Sequence, residues 1–219
     1  MKKALIIGIA GQDGSYLCEF LLEKGCQVFG LLRKKDGLAN IKHLKKRIKL
    51  LDGDLRDKES LKRAILKAKP DEVYNLAAIS FIPASWQNPT LIGDVNALGV
   101  SRLLEIIRDR SPKTRFLQAS SAQMFGKPEE SPQNEATKIS PLNPYAAAKA
   151  LAHFLVRSFR EQYGLFAGSA IFYNHESEKR PPEFVTRKIT QGAAKIKLGL
   201  EKKLELGNLE EERDSGYAP

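Results

Sequence analysis

The sequence predicts an α/β protein built on a doubly wound parallel sheet. Short apolar segments of strand length alternate with amphipathic segments of helical length, beginning with residues 3–8, 13–24 and 27–32. This alternation is typical of parallel sheets that are covered by helices on both faces. A glycine-rich turn joins the first predicted strand to the first predicted helix. Because ligands of such sheets bind at the carboxyl ends of the strands, we expect the functional site there.

The remaining pattern continues this alternation and then changes. Further strands are predicted at residues 48–51, 72–76, 115–119 and 167–172, and helices at about 58–69, 90–110 and 144–163. A charged loop follows, then a predicted helix at 183–199 and a short strand near 203–206. We therefore divide the chain into a sheet domain, residues 1–173, and the beginning of a smaller C-terminal lobe, residues 174–219. We expect the chain to be incomplete, because such a sheet needs a further lobe to enclose a substrate.

Composition argues against several classes of protein. The 219 residues, 42% hydrophobic and 28% charged, suit a globular protein. The longest apolar runs are too short to cross a bilayer, so we expect a cytoplasmic protein without a membrane partner. The net charge of +10 is spread along the chain, which favours a solvated surface over a nucleic-acid site. Two cysteines and three histidines without ligand spacing predict no metal site.

The first turn carries glycines with GxxGxxG spacing, at Gly8, Gly11 and Gly14. Glycine at these positions permits a tight turn, lets the backbone approach a pyrophosphate, and lets the helix pack close to the strand. The helix N-terminus then faces the negative charge of the ligand. The location between a strand and a helix favours a Rossmann dinucleotide site over an ordinary turn.

Two further segments bear on the choice of dinucleotide. An NAD enzyme places an acidic residue after the second strand, whereas this chain has Arg33, Lys34 and Lys35. The positive charge favours the 2′-phosphate of NADP, and the alternative is a solvated basic loop. Asp54 and Leu55 follow the third predicted strand, where an adenine-contacting pair would lie, although a simple strand-end turn is the alternative.

Tyr145 and Lys149 form a YxxxK pair, whose spacing places both side chains on one helix face. An ammonium group near a phenol stabilises the phenolate, which can then accept a proton at neutral pH. Ser121 lies at the end of the fifth predicted strand, where its hydroxyl can hold the substrate oxygen that exchanges a proton with Tyr145. The order of the glycine turn, Ser121 and the YxxxK pair argues against a chance occurrence.

Several longer segments carry a family resemblance. They are GIAGQDGSYL (8–17), DGDLRD (52–57), NLAAIS (75–80), QASSAQMFG (118–126), NPYAAAK (143–149), NHES (174–177), FVTRKI (184–189) and GNLEEERDSGYA (207–218). With these segments the chain resembles the GDP-mannose 4,6-dehydratase family of the extended short-chain dehydrogenase/reductases. The resemblance runs from the N-terminus to Ala218, and the NHES and FVTRKI segments are the most particular to the family.

The resemblance implies an NADP-binding Rossmann domain at 1–173, with the catalytic residues, and a partial GDP-sugar-binding region at 174–219. NADP contacts are implied for Gly8, Gly11, Gln12, Asp13, Gly14, Arg33, Asp54, Leu55, Leu76, Ala77, Ala78, Ser80, Tyr145, Lys149, His175 and Arg180. GDP-sugar contacts are implied for Ser80, Ser121, Asn174, Lys188 and Arg213. Strand capping by Asn174 and His175, and plain surface charge at Lys188 and Arg213, stay open as alternatives.

The resemblance also implies a carbon–oxygen lyase reaction on GDP-mannose or a related nucleotide sugar. Tyr145, as phenolate, would remove the 4-hydroxyl proton while hydride passes from C4 to NADP+. An acidic residue would then remove the C5 proton and protonate the leaving 6-hydroxyl, after which the hydride returns to C6. The products are GDP-4-dehydro-6-deoxy-D-mannose and water.

Self-association is a further implication, since the family commonly pairs through the helices near 90–110 and 144–163. We expect a homodimer, with a homotetramer left open because the basic loop after Arg33 is short. The apolar residues concerned form either that interface or the core of one molecule. They are Leu103, Leu104, Ile106, Ile107, Leu151, Phe154 and Leu155.

One catalytic position departs from the family. The glutamate expected two residues beyond the catalytic serine is Gln123 here. An amide has no carboxylate with which to remove the C5 proton, so the elimination step lacks its expected acid–base group. Two alternatives therefore stay open: an NADP-dependent reductase or epimerase of a related nucleotide sugar, and a catalytically impaired NADP-binding homologue.

Overall fold

The computed structural model of the protein describes residues 1–34, 36–210, 212 and 214–219. The chain divides into two compact units, Met1–Phe172 and Tyr173–Pro219. Among the described residues, no helix combines the length and the apolar character that a membrane span requires.

Six parallel strands form the sheet of the first unit. They are β1 (Lys3–Ile7), β2 (Gln27–Leu32), β3 (Lys49–Asp52), β4 (Glu72–Asn75), β5 (Arg115–Ser121) and β6 (Ala167–Phe172). Their order in the sheet is β3-β2-β1-β4-β5-β6, with every neighbouring pair parallel. The chain winds outward from β1 on one side and from β4 on the other, which confirms the doubly wound sheet. The switch point, where such folds bind ligands, lies between β1 and β4.

Helices cover both faces of this sheet. They are α1 (Gln12–Glu23), α2 (Lys58–Ala68), α3 (Ile82–Gln87), α4 (Pro89–Gly93), α5 (Gly99–Arg110) and α6 (Pro144–Tyr163), with 3-10 turns at Ala39–Leu44 and Ala122–Phe125. A π turn, Asp94–Leu98, joins α4 to α5, so the segment predicted as one helix changes its hydrogen-bond pattern midway. The short helix α3 was not predicted.

The start of α6 is fixed by local chemistry. The side chain of Asn143 accepts a hydrogen bond from the backbone N–H of Ala146, and Pro144 occupies the first turn. Gly164, with a φ of 66°, ends the helix. These signals lie in the sequence, and they place Tyr145 at the beginning of α6.

The core has two main layers, one on each face of the sheet. One layer packs α2, α5 and α6 against the strands, and the other packs α1 and the first 3-10 turn. The four apolar side chains of α5 that were candidates for an interface belong to the first layer, where they are fully or almost fully buried. They are Leu103, Leu104, Ile106 and Ile107. These four residues therefore form the core of one molecule, which removes them from any interface between copies.

The second unit contains α7 (Val185–Lys197) and two short parallel strands, β7 (Asn174–Glu176) and β8 (Ser215–Tyr217). The strand predicted near 203–206 is wrong: the structure describes these residues and has no strand there. Leu204 instead packs on α7, so closely that a Cβ on Gly192 would lie 2.7 Å from its Cδ1. The apolar residue in that segment reflects packing on a helix and not strand pairing.

A glycine exchange tests how α1 packs against β1. A Cβ on Gly14 would lie 2.2 Å from the backbone oxygen of Gly8, so Gly14→Ala forces the helix away from the turn. We expect the free energy of unfolding to fall by about 1–3 kcal/mol, measured by urea denaturation. Gly93→Ala is the matched control, because no atom lies within 4 Å of its new Cβ. The control should raise stability slightly, by up to about 1 kcal/mol; equal effects of the two exchanges would contradict the packing described.

Candidate active site

A cavity of about 330 Å³ opens at the carboxyl ends of the strands around the switch point. This volume is within the range of small-molecule sites. Many of the residues predicted to contact a dinucleotide line it. These are Gly8, Gly11, Arg33, Asp54, Leu55, Leu76, Ala77 and Ala78. The cavity therefore brings together predicted residues from the ends of β1, β2, β3 and β4.

The glycine turn forms the part of the cavity next to β1 and α1. Gly8 has a φ of 86°, and a Cβ on it would lie 2.8 Å from the backbone nitrogen of Ala77. Gly11 is the residue that precedes α1, and its backbone N–H donates to the oxygen of Gly8 at 3.0 Å. The turn thus exposes backbone without side chains at a helix N-terminus, which fits a pyrophosphate. Gln12, Asp13 and Gly14 belong to the first turn of α1 and do not line the cavity.

Asp54 lies on the wall that follows β3. Arg56 donates from Nε and Nη2 to the two carboxylate oxygens, at 3.1 and 2.8 Å, and from its backbone N–H at 2.9 Å. The side-chain hydrogen bonds from Arg56 lower the pKa of Asp54 to about 2. Asp54 therefore stays ionised at neutral pH, in an ion pair with Arg56.

The π turn and α5 hold Leu55, the next residue of this wall. Arg102 Nη1 donates to the Leu55 oxygen at 3.0 Å, and Nη2 donates to the Asp94 carboxylate at 2.6 Å. Gly99 allows the close approach, since a Cβ there would lie 2.8 Å from Leu55 Cβ. Arg102 therefore connects the loop after β3 to the π turn and to α5.

The same π turn holds the opposite wall. Asn96, which is buried, accepts a hydrogen bond from the Ile79 N–H and donates one to the Ile79 oxygen, both at 2.9 Å. Its neighbour Val95 lines the cavity directly. Sequence reasoning missed Val95 and Asn96, because side-chain periodicity does not distinguish a π turn from the α-helix around it.

Lys149 lies in the first unit with only 3% of its surface exposed. Its Nζ donates to the backbone oxygen of Ala119, in β5, at 2.7 Å and lies 5.8 Å from the centroid of the Tyr145 ring. Burial lowers the pKa of Lys149 from its ordinary value of 10.5 to about 8, although the charge of Asp13 opposes this shift. The predicted pairing of Tyr145 and Lys149 on one helix face is thus present.

Ser121 is the last residue of β5 and is buried, as is Tyr145. Ser121 Oγ accepts a hydrogen bond from the backbone N–H of Gln123 at 3.3 Å, which leaves the hydroxyl proton for another acceptor. Gln123 lies in the second 3-10 turn and is half-buried. Tyr145 packs in a cluster with Ile79, which lines the cavity, so Tyr145 lies close to the cavity without lining it. Ser80 is exposed and does not line it.

A series of buried hydrogen bonds leads from β4 to the carbonyl group that binds Lys149. Asn75 Nδ2 donates to Gln118 Oε1 at 2.7 Å, and Gln118 Nε2 donates to the Ala119 oxygen at 2.7 Å. The Ala119 carbonyl therefore accepts from both Gln118 and Lys149. Sequence reasoning missed Gln118 as a site residue, although a glutamine inside an otherwise apolar strand is the signal that marks such a group.

The remaining predicted residues lie in the second unit. His175 Nδ1 lies 2.7 Å from the Tyr173 oxygen, and Arg180 lies 3.2 Å from Glu176 and stacks 3.7 Å above the Phe184 ring. Their roles, and those of two GDP-sugar contacts, stay predictions. Asn174 begins β7 and Lys188 is exposed on α7. Arg213, and Lys35 of the basic loop, lie outside the described residues.

Comparison with known proteins gives the family. A model described as GDP-mannose 4,6 dehydratase matches residues 5–219. A Vibrio cholerae protein named GDP-mannose 4,6-dehydratase is 47% identical over 99% of this chain, and an Arabidopsis thaliana protein named GDP-mannose 4,6 dehydratase 2 is 48% identical over 99%. The chain spans 61% and 62% of the lengths of these two relatives.

A solved structure shares the fold. The UDP-glucose 4-epimerase of Thermus thermophilus, in complex with NAD, matches with a TM-score of 0.79 at 30% identity, over 91% of this chain and 64% of that one. Because the family model covers nearly all of the chain, and the relatives match it from end to end, the chain belongs to the GDP-mannose 4,6-dehydratase family.

Proposed function

We propose that the full-length protein is an NADP-dependent GDP-mannose 4,6-dehydratase, which converts GDP-α-D-mannose to GDP-4-dehydro-6-deoxy-D-mannose and water. The observation that carries this proposal is the buried Lys149 ammonium beside Tyr145, next to a cavity built for a dinucleotide. A bound nicotinamide dinucleotide supplies a reversible hydride acceptor. The names of the relatives point to the same reaction.

The chain's own residues handle the proton at the sugar 4-hydroxyl. Tyr145, as phenolate, accepts this proton, and the Lys149 ammonium stabilises the phenolate. The hydrogen bond to the Ala119 oxygen fixes the ammonium in place. Ser121, whose Oγ already accepts from Gln123, donates its own proton to the substrate oxygen and orients it.

The cavity supports the cofactor part of the proposal. The glycine turn leaves room for a pyrophosphate at the start of α1, and Asp54 and Leu55 provide a wall for the adenine. Arg33 lines the same cavity and is the cation that supports NADP over NAD. His175 and Arg180, from the second unit, are proposed as further NADP contacts.

We also propose the GDP-sugar contacts that the family resemblance implies. We assign Ser80 and Ser121 to the sugar, Asn174 to the sugar nucleotide, and Lys188 and Arg213 to the diphosphate.

A homodimer completes the proposal. Leu151 and Phe154 of α6 are 47% and 46% exposed, and they remain available for pairing with a second copy after the core has taken the apolar face of α5. A homotetramer would require further contacts, for which the short loop after β2 gives little support.

Gln123 favours a second candidate function. Its amide lies where the family has a glutamate, and an amide does not remove the C5 proton. Oxidation and reduction at C4 need only Ser121, Tyr145 and Lys149. A reductase or epimerase of a related nucleotide sugar is therefore the alternative, with a catalytically impaired NADP-binding protein as the remaining outcome.

Exchange at Gln123 decides between these functions. We expect the full-length protein, loaded with NADP+, to release a GDP-sugar that is lighter by one water, detected by mass spectrometry, with a group other than Gln123 taking up the C5 proton and passing it to the leaving hydroxyl. Gln123→Glu should increase that rate, because it restores a carboxylate for the C5 proton. Water loss by Gln123→Glu alone would instead support the alternative functions, and water loss by neither protein would contradict the dehydratase assignment.

Tyr145→Phe tests the proton acceptor. We expect GDP-mannose turnover by the full-length protein to fall by about 10²–10⁴-fold, because phenylalanine has no hydroxyl to exchange the proton. Dinucleotide affinity, measured by calorimetry, should change little. Tyr163→Phe is the matched control, since Tyr163 lies on the same helix but is exposed. Full activity of Tyr145→Phe would rule out the proposed role.

The burial of Lys149 predicts a pH-dependent stability. Its folded-state pKa of about 8 lies below the unfolded value of 10.5, so the unfolded chain binds more protons between these pH values. The free energy of unfolding should therefore rise with pH in this window. Relative to Lys149→Met, we expect the unaltered protein to gain up to about 3 kcal/mol between pH 7 and 10.5. Urea denaturation of both proteins measures this gain, and a difference that is independent of pH would contradict the burial of the ammonium.

A further inference from the structure

An ion pair lies on the cavity wall that follows β2. The backbone N–H of Arg33 donates to Asp36 Oδ2 at 2.8 Å, and Arg33 Nε and Nη2 donate to Asp36 Oδ1 at 3.0 and 2.7 Å. Both residues line the cavity. The carboxylate thus occupies donors of Arg33 that a phosphate would otherwise take.

The position of this pair gives it a chemical meaning. At the end of the second strand of a Rossmann sheet, a carboxylate binds the ribose 2′-hydroxyl of NAD, whereas an arginine accommodates the 2′-phosphate of NADP. This chain has both groups there, in contact with each other. The prediction made from the sequence of this loop rests on its basic residues and leaves out Asp36.

The charged residues that line the cavity determine what a 2′-phosphate meets there. Its charged lining residues, among those that the structure describes, are Arg33, Asp36 and Asp54. Asp54 stays ionised at neutral pH because Arg56 lowers its pKa, and the charge of Arg33 contributes to that shift. Asp54 is paired with Arg56, so Asp36 is the carboxylate that competes directly with a 2′-phosphate for Arg33.

We propose that Asp36 determines the dinucleotide selectivity of this chain. It competes with the 2′-phosphate of NADP for Arg33, and it offers its own carboxylate to the 2′-hydroxyl of NAD. The site consequently accepts NAD as well as NADP, with a weaker preference for NADP than Arg33 alone would give. This inference rests on the proposed dinucleotide site.

Calorimetric titration of the full-length protein with NADP+ and with NAD+ tests the inference. Asp36→Asn keeps the shape of the side chain, removes its charge and frees Arg33 for the phosphate. We expect the preference, expressed as the Kd for NAD+ divided by the Kd for NADP+, to rise about fivefold. Arg33→Gln should lower the preference by a similar factor. Asp109→Asn is the matched control, because it removes an aspartate that pairs with Arg108 outside the cavity.

The outcomes separate this inference from the proposed function. A rise in preference for Asp36→Asn, together with no change for Asp109→Asn, supports the role of Asp36. Tight binding of both dinucleotides with an unchanged preference in Asp36→Asn overturns it and leaves the proposed function intact. Failure of the unaltered protein to bind either dinucleotide overturns the cofactor site and this inference together.

Discussion

The ammonium group of Lys149 connects α6 to the carboxyl end of β5 inside the protein. Removing a lysine from water is costly, and the lowered pKa of Lys149 reflects that cost. The Ala119 oxygen offsets part of it through a short hydrogen bond, and the charge of Asp13 also favours the protonated form. The protein thereby keeps a cation next to Tyr145 in a place where water screens it little. The proposed chemistry depends on this arrangement, because an exposed lysine would stabilise the phenolate far less.

The cavity at the carboxyl ends of the strands depends on a different feature, the π turn between α4 and α5. From this turn Asn96 binds the loop after β4, while Arg102, six residues further along in α5, binds the loop after β3. A single helical segment therefore fixes two opposite walls of the cavity. The side next to α1 needs no such support, since the packing of Gly8 and Gly14 brings strand, turn and helix together directly.

Much of the fold follows from the sequence because the signals are local. The bounds predicted for β2, β6 and α6 agree with the structure, since apolar runs define the strands and Asn143 and Gly164 mark the ends of the helix. The π turn could not be predicted, because its residues have ordinary helical periodicity. The strands β7 and β8 are three residues long and polar, which is too short for a periodic signal.

The residues of the candidate site also divide into those with a local sequence signal and those without one. Gly8, Asp54 and the YxxxK pair could be predicted because their spacing along the chain carries the chemistry. Gln118 and Asp36 could not, since their roles arise from contacts in the folded protein, with the Ala119 oxygen and with Arg33. The positive charge of the basic loop is visible in the sequence, whereas the pairing of Arg33 with the carboxylate three residues further on is visible only in the structure.

We infer that Ser121, Tyr145, Lys149 and the cavity form one site for oxidation at C4 of a nucleotide sugar. The most direct measurement follows the deuterium of GDP-mannose labelled at C4, incubated with the full-length protein and NADP+ and analysed by mass spectrometry. We predict that deuterium leaves C4 and is found at C6 of a product that has lost water. Complete retention of deuterium at C4, in a sugar whose C4 configuration is unchanged and with no label in the dinucleotide, would contradict oxidation at C4.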